Sequence, residues 1–333
     1  LLFVTSLPAV PSAGSLAALP IAASVIAPAA RAQGETRAAV LLTLPSSTRG
    51  LALGDAWGAV ANDESALFYN PAQLARQRSL AVGGSVERYI AGTTLGAFAT
   101  AWRMARGTAA LGVQILDYGN EEEVTSPGGE FGTPTGNTVS AQDVAISAGY
   151  GYAHAFGARG ELRFGTALKW VRQHVANASG STVAADVGLA ASFGNGWDVS
   201  AALQHLGPHL TLAAVSAPLP YTWRVAAASP PVNGLLGAGF TLRTMAEGRQ
   251  SGGGPATGVL AAEGTWRTSR DGLALTGRAG FALRGTGDDR RPLTLGGGLT
   301  LARVTVDYAY EAFEQLGITH RVGVRFAALP RGS

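Results

Sequence analysis

The residue types able to do covalent chemistry are few in this chain and badly spaced for it. Its 333 residues include no Cys, which removes disulfides, thiolate metal sites and a thiol nucleophile together. His205 and His209 stand four apart, but Gly207 and Pro208 between them deny the helical face on which a His pair shares a metal, so both read as loop residues. Neither HExxH nor GxSxG occurs, and no GxGxxG is complete, so a metalloprotease, a serine hydrolase of that type and a dinucleotide enzyme all lack support. Glu121, Glu122 and Glu123 carry charge enough for a divalent cation but lack the ligand spacing of a calcium loop; they read as solvated loop charge. Asp288, Asp289, Arg290 and Arg291 read as a loop tip whose charges pair with one another. The expectation is a protein that is not an enzyme, with no metal and no cofactor.

The specific polar residues gather instead in residues 49–75, RGLALGDAWGAVANDESALFYNPAQLA. This is the only long segment that does not read as strand and turn. At Asn70-Pro71 the ring of Pro fixes its own φ and holds the preceding residue extended, while the Asn side chain is free to bond nearby backbone. The step reads as a stiff turn, with a gating element as the second reading. Asp63 follows a run of small residues and precedes Ser65, so it reads as the cap of a helix over 64–69. An ion pair with an arginine of the surrounding wall is its alternative role. Asp63, Tyr69, Asn70 and Pro71 are the candidate plug or gating residues.

What must position this segment is a long series of strands. Past residue 78 apolar residues recur at every second position, the period of a β-strand. Leu162, Phe164, Leu168 and Trp170 alternate with Arg163, Gly165 and Lys169; Val322, Val324 and Phe326 alternate with Arg321, Gly323 and Arg325. Fourteen strands are expected, over 79–90, 93–104, 107–118, 142–155, 160–175, 181–194, 196–206, 221–229, 234–245, 257–267, 272–285, 292–302, 303–312 and 319–328. A soluble sandwich alternates too, so the period alone does not choose. The strands are longer than the usual ~5–6 residues, and Trp and Tyr sit near the ends of the greasy face, where a membrane girdle places them. The connections are also sorted. Those after odd strands include the long ones, 119–141, 207–220, 246–256 and 286–291, while those after even strands are short. An even strand count with such sorting is what an outer-membrane barrel with both termini in the periplasm predicts.

Composition agrees. Charged residues are only 14% and Gly numbers 46, yet past the leader no apolar run approaches the ~20 residues of a spanning helix. The formal charge of +3, with no basic cluster interleaved with aromatics, argues against nucleic acid. Residues 1–32 read as an export signal with a truncated start, ending in the small-x-small step Ala30-Arg31-Ala32. Residues 33–78 then form the plug, and 79–328 the barrel. By alternation the lumen receives Arg163, Lys169, Arg224, Arg278 and Arg325, with Asp186, Asp198, Glu263, Asp307 and Glu311 among the acids. These charges read as cross-strand ion pairs; attraction of carboxylate-headed amphiphiles and seating of the plug are the functional alternatives.

At 49–75 the motifs Arg49-Gly50, Gly54, Ala61-Asn62-Asp63 and Tyr69-Asn70-Pro71-Ala72 resemble the N-terminal signature of the PorV/PorQ family, relatives of the FadL-type fatty-acid channel. Leu219-Pro220-Tyr221-Thr222-Trp223-Arg224 and the C-terminal run Asp307-Tyr308-Ala309-Tyr310 with Thr319-His320-Arg321 are similar to later parts of the same family. Gln73 departs from the Gly that usually follows Asn-Pro-Ala there. The resemblance implies an all-β, fourteen-stranded transmembrane antiparallel barrel in a Gram-negative-type outer membrane, with an N-terminal plug in its lumen. It also implies one of two roles: assisting secretion or surface attachment of exported proteins, or, as in FadL-like channels, uptake of hydrophobic or amphipathic small molecules. The partners expected are outer-membrane lipid with exported proteins and type IX secretion components, or lipid with small hydrophobic molecules; no nucleic acid is expected.

Overall fold

The structure, a computed structural model, describes residues 37–125, 133–252, 254–268, 272–285 and 288–328. The export signal expected at 1–32 lies outside the described residues. The strands are β1 Ala81–Arg88, β2 Thr94–Met104, β3 Gly107–Thr125, β4 Thr133–Ala155, β5 Gly160–Val175, β6 Ala178–Phe193, β7 Asp198–Leu206, β8 Thr222–Ala228, β9 Phe240–Ser251, β10 Thr257–Arg267, β11 Leu273–Leu283, β12 Arg290–Leu301, β13 Val304–Phe313 and β14 Ile318–Ala327. Fifteen strands share one sheet; the two-residue Val232–Asn233 pairs only with β9, which leaves fourteen in the ring. Each is antiparallel to its neighbours, and the ring closes where Ala81 meets Ala327 and where β8 meets β9. Closure leaves no unpaired sheet edge, the condition for strands to stand in hydrocarbon. The outward rows are apolar and exposed, Leu168 at 67% and Val183 at 58%. The chain is a transmembrane outer-membrane barrel.

Eleven of the fourteen strands lie close to their expected spans, and the departures of the other three have a physical cause. β3 and β4 run on to Thr125 and from Thr133, through what alternation reads as the loop 119–141. Beyond the membrane both faces of a hairpin meet water, so the greasy-polar alternation ends while the backbone pairing Asn120↔Ser140 and Glu121↔Val139 continues. The ninth strand, expected over 234–245, instead covers Phe240–Ser251. Gly234, Gly237 and Gly239 all adopt positive φ, a turn that an apolar count through Leu235 and Leu236 overlooks. The expected long connection 246–256 therefore shrinks and the expected short one at 230–233 grows to 229–239, so the sorting of connections holds only in part.

Candidate functional site

Residues 37–77 fold as short turns, α1 Thr48–Ala52 and α2 Ala66–Tyr69 between two 3₁₀ segments, Val40–Thr43 and Pro71–Arg76. Every strand from β3 to β14 has an inward position against this segment, and the segment is buried almost throughout. A segment that meets so many consecutive strands of a closed ring lies inside it. The wall accommodates it with inward glycines. A Cβ on Gly165 would fall on the backbone of Pro71 and Ala72, one on Gly151 on the Pro71 carbonyl and the Ala75 amide, and one on Gly280 on Leu53 and Gly54. The small residues of the inward face are thus the imprint of the segment on the wall.

Each plug candidate makes a definite contact. The Tyr69 hydroxyl accepts from the amides of Ser46 and Ser47 at 3.1 and 3.2 Å, and it fills the space that a Cβ on Gly50 would need. This explains why Arg49-Gly50 and Tyr69 occur together in the motif. Asn70 is extended, its Oδ1 accepts from the Ala72 amide at 3.0 Å, and its Nδ2 donates to the carbonyls of Leu189 and Ala201 on β6 and β7. Pro71 is the first residue of the 3₁₀ segment, as its fixed φ favours. Gln73 is buried and donates to the carbonyls of Gly58 and Ala59 at 2.9 Å, so the turn does not need the family's Gly. Asp63 makes the ion pair read as its alternative role but is not the cap of α2, whose N-cap is Ser65. Its Oδ1 accepts from the Ser65 amide at 3.1 Å, though α2 itself begins only at Ala66, and its Oδ2 pairs with Arg49 at 3.1 Å and Arg325 at 2.7 Å. Burial opposes its charge, but Arg325 and Arg49 together hold the carboxyl below the usual range.

The lumen cations divide into two groups. Arg163 pairs with Asp198 and Glu161, Lys169 with Asp186 at 2.7 Å and Arg278 with Asp307 at 2.7 Å and Glu263 at 2.6 Å, all within the wall. Arg224 pairs with Asp55 of the segment at 2.8 Å as well as Glu247 of the wall, and Arg325 pairs with Asp63. From the segment, Arg49 reaches Glu263 at 3.2 Å and Arg76 reaches Asp198. Cross-strand pairing and seating of the segment are therefore both present.

Two features escape the sequence pattern. Leu41 and Leu42, ahead of the recognised motif, are buried in an apolar cluster with Leu95, Leu116, Val171 and Leu210. Leu210 and Leu219 come from the connection 207–221, which folds inward; its hairpin pairs Leu210–Leu212 with Val215–Ala217. His205 is not a loop residue but the penultimate residue of β7, buried, with φ of 60°. There the ladder slips: Gln204 and His205 stand against the single residue Asp186, whose carboxylate accepts the His205 amide at 2.8 Å. Past Leu206, β7 offers β6 no further ladder partner. The slip moves the outward row from Leu203 to Leu206, three apart, and it falls at the end of the strand, where a change of period reads as the strand ending.

Fold and lumen together define a barrel of the outer membrane whose lumen holds its own N-terminal segment. No protein-family model matches the sequence, and no curated protein is similar to it. Among solved structures, the toluene transporter TodX of Pseudomonas putida aligns with 85% of this chain and 98% of its own, at TM-score 0.56 and 11% identity. The monoaromatic hydrocarbon channel CymD aligns with 88% of this chain and 99% of its own, at TM-score 0.55 and 10% identity. The fold is thus shared with TodX and CymD along nearly the full length of those barrels.

Proposed function

We propose that the chain is a channel for small hydrophobic molecules, the second of the two roles implied by the resemblance. The observation that carries it is the apolar cluster in which Leu41 and Leu42 pack against the wall. Ala184, one of its wall members, adjoins the slip at Asp186 where β6 and β7 lose register. A pocket of about 500 Å³ lies there, bordered by Val183, Leu206 and Pro208. An apolar solute that displaces the two leucines has a path sideways past the slip, with little polar surface to cross. TodX and CymD, described as a toluene transporter and a monoaromatic hydrocarbon channel, share the architecture and favour the same substrate class. The PorV/PorQ-type role, docking of exported proteins, needs a broad exposed loop surface; the inward fold of 207–221 leaves less of it.

The test is uptake of labelled toluene by cells whose own hydrocarbon channels are deleted. Expression of the chain is expected to raise the uptake rate several-fold, and Ala184→Phe, which overfills the cluster, to return it to background while the barrel still migrates as a folded species. Background uptake with the unmodified chain, together with stoichiometric recovery of an exported protein on purification, would move the assignment to the PorV/PorQ-type role.

A further inference from the structure

The lumen charges are absorbed by seating the segment, but one part of the outer face breaks the uniform apolar belt. On β4 and β5 the outward cross-strand pairs run Tyr152↔Phe164, Tyr150↔Thr166, Ala148↔Leu168, Ile146↔Trp170, Val144↔Arg172 and Gln142↔His174, toward the end opposite the chain termini. Apolar character stops at Trp170, and a cation and an imidazole follow. Two cavities meet at this point. One of about 320 Å³ is lined by Gln142, Val144, Trp170, Arg172 and His174. The other is the 500 Å³ pocket, where Ile146, Leu168, Trp170, Val183 and Leu206 form an apolar slot. Trp170 borders both, so the polar cavity stands directly above the slot.

The polar cavity is poor in partners of its own. Arg172 makes no ion pair among the described residues, and the Nδ1 of His174 is buried without a hydrogen-bond partner. Asp143, between these pairs, faces inward and is bonded by Tyr118 and Gln173; on the outer face the acid nearest in register is Asp117, across from Gln142 on β3, whose Oδ1 already accepts from the Gly119 amide. An unpaired guanidinium beside an imidazole favours an anion with several oxygens, which a guanidinium fork meets with two parallel hydrogen bonds. The site sits one residue pair above a Trp at the edge of the belt, the height at which headgroups lie. From His174 to Leu168 the strand covers roughly 20 Å, enough to span a headgroup and much of an acyl chain.

We propose that this two-part groove binds a phosphorylated lipid of the outer leaflet, with its phosphate on Arg172 and His174 and an acyl chain in the slot beneath Trp170. The seated chain lies against Leu206 and Pro208, across the outside of the β6–β7 slip. The slot is the one by which the proposed sideways path leaves the wall, so a seated chain and a leaving solute exclude each other there; lipid binding itself does not require transport.

The test is native mass spectrometry of the full chain in detergent with dipalmitoyl phosphatidic acid, dipalmitoylglycerol and inorganic phosphate as probes. Phosphatidic acid is expected to bind at least about tenfold more tightly than dipalmitoylglycerol, as two charge-assisted contacts require. Arg172→Gln with His174→Gln is expected to abolish that preference, Val183→Trp to weaken binding by filling the slot, and Arg88→Gln, on the outer face of β1, to change nothing. Migration as a folded barrel before heating controls for misfolding. Equal binding of the two lipids, or an unchanged preference in the Arg172/His174 variant, overturns the proposal. So does binding of free phosphate as tight as that of the lipid with no effect of Val183→Trp, which would leave a phosphate site without a lipid.

Discussion

The lumen segment meets the wall differently on its two sides. Toward β8, β9, β10 and β14 it is held by charge: Asp55 to Arg224 and Arg249, Arg49 to Glu263, Asp63 to Arg325, with the Gly58 amide on Glu247. Toward β4, β5 and β6 its 3₁₀ segment lies backbone against glycine, at Gly151, Gly165 and Gly188. The charged side fixes which part of the segment faces which strand, because each buried charge has one or two partners that answer it. The close-packed side adds contact at no polar cost but has no spare volume. The first is exposed to loss of a partner and the second to gain of an atom.

The largest effect should come from breaking the charged side. Asp55→Leu leaves Arg249, which otherwise bonds only the Gly54 carbonyl, without a counter-charge. Removing one partner of a buried pair costs about 3–5 kcal/mol, whereas replacing both members is close to neutral. The denaturant midpoint of the refolded barrel should fall accordingly, and adding Arg249→Met should recover much of the loss. A smaller effect is expected on the other side. Gly165→Ala puts a methyl group into the backbone of Pro71 and Ala72, an overpacking worth about 1–3 kcal/mol, while Gly277→Ala, which meets nothing within 4 Å, should stay within about 0.5 kcal/mol of the parent. Equal effects of the two glycine substitutions would show that the wall glycines are not the segment's imprint.

The charged side was legible in the sequence and the close-packed side only in outline. Alternation places Arg224, Arg278 and Arg325 inward because a strand has period two, and their partners are Asp55, Asp307 and Asp63. The same rule marks Gly165 and Gly188 as inward, yet a residue without a side chain gives no sign of what presses on it. The motif at 49–75 identified Tyr69 and Asn70 through residue types that serve only in specific hydrogen bonds. Leu41 and Leu42 carried no such sign, since two leucines among small apolar residues look like any connection until the cluster around them is formed. The slip at Asp186 is hidden for a related reason. It shifts the row only at the last residue of the strand, where a broken period reads as the strand's end, and the amide it frees is answered by a carboxylate.

The comparison is sharpened most finely by Glu64, the one acid of the segment without an ion pair among the described residues. It is buried on the charged side with Oε2 unpartnered, next to a cavity of about 40 Å³ bordered by Gly83, Ser85 and Arg325. Burial and the adjacent Asp63 push its carboxyl up from 4.5 to about 8, against the pull of Arg325 and Arg49. A folded-state value above the unfolded one means that the seated segment binds the proton more tightly than the released segment does. The stabilisation is therefore complete below about 4.5 and is lost as the pH rises through about 8. Hydrogen exchange over 37–77 should quicken between pH 5 and pH 8 beyond the intrinsic rise in amide exchange, and Glu64→Gln, neutral throughout, should flatten the excess. The effect should be confined to the charged side, near 46–65, and leave 71–76 unmoved, because that stretch has its own ion pair, Arg76 with Asp198, and no contact with Glu64. An excess of equal size in both stretches would mean that the two sides open together, and that the division between them is one of chemistry but not of stability.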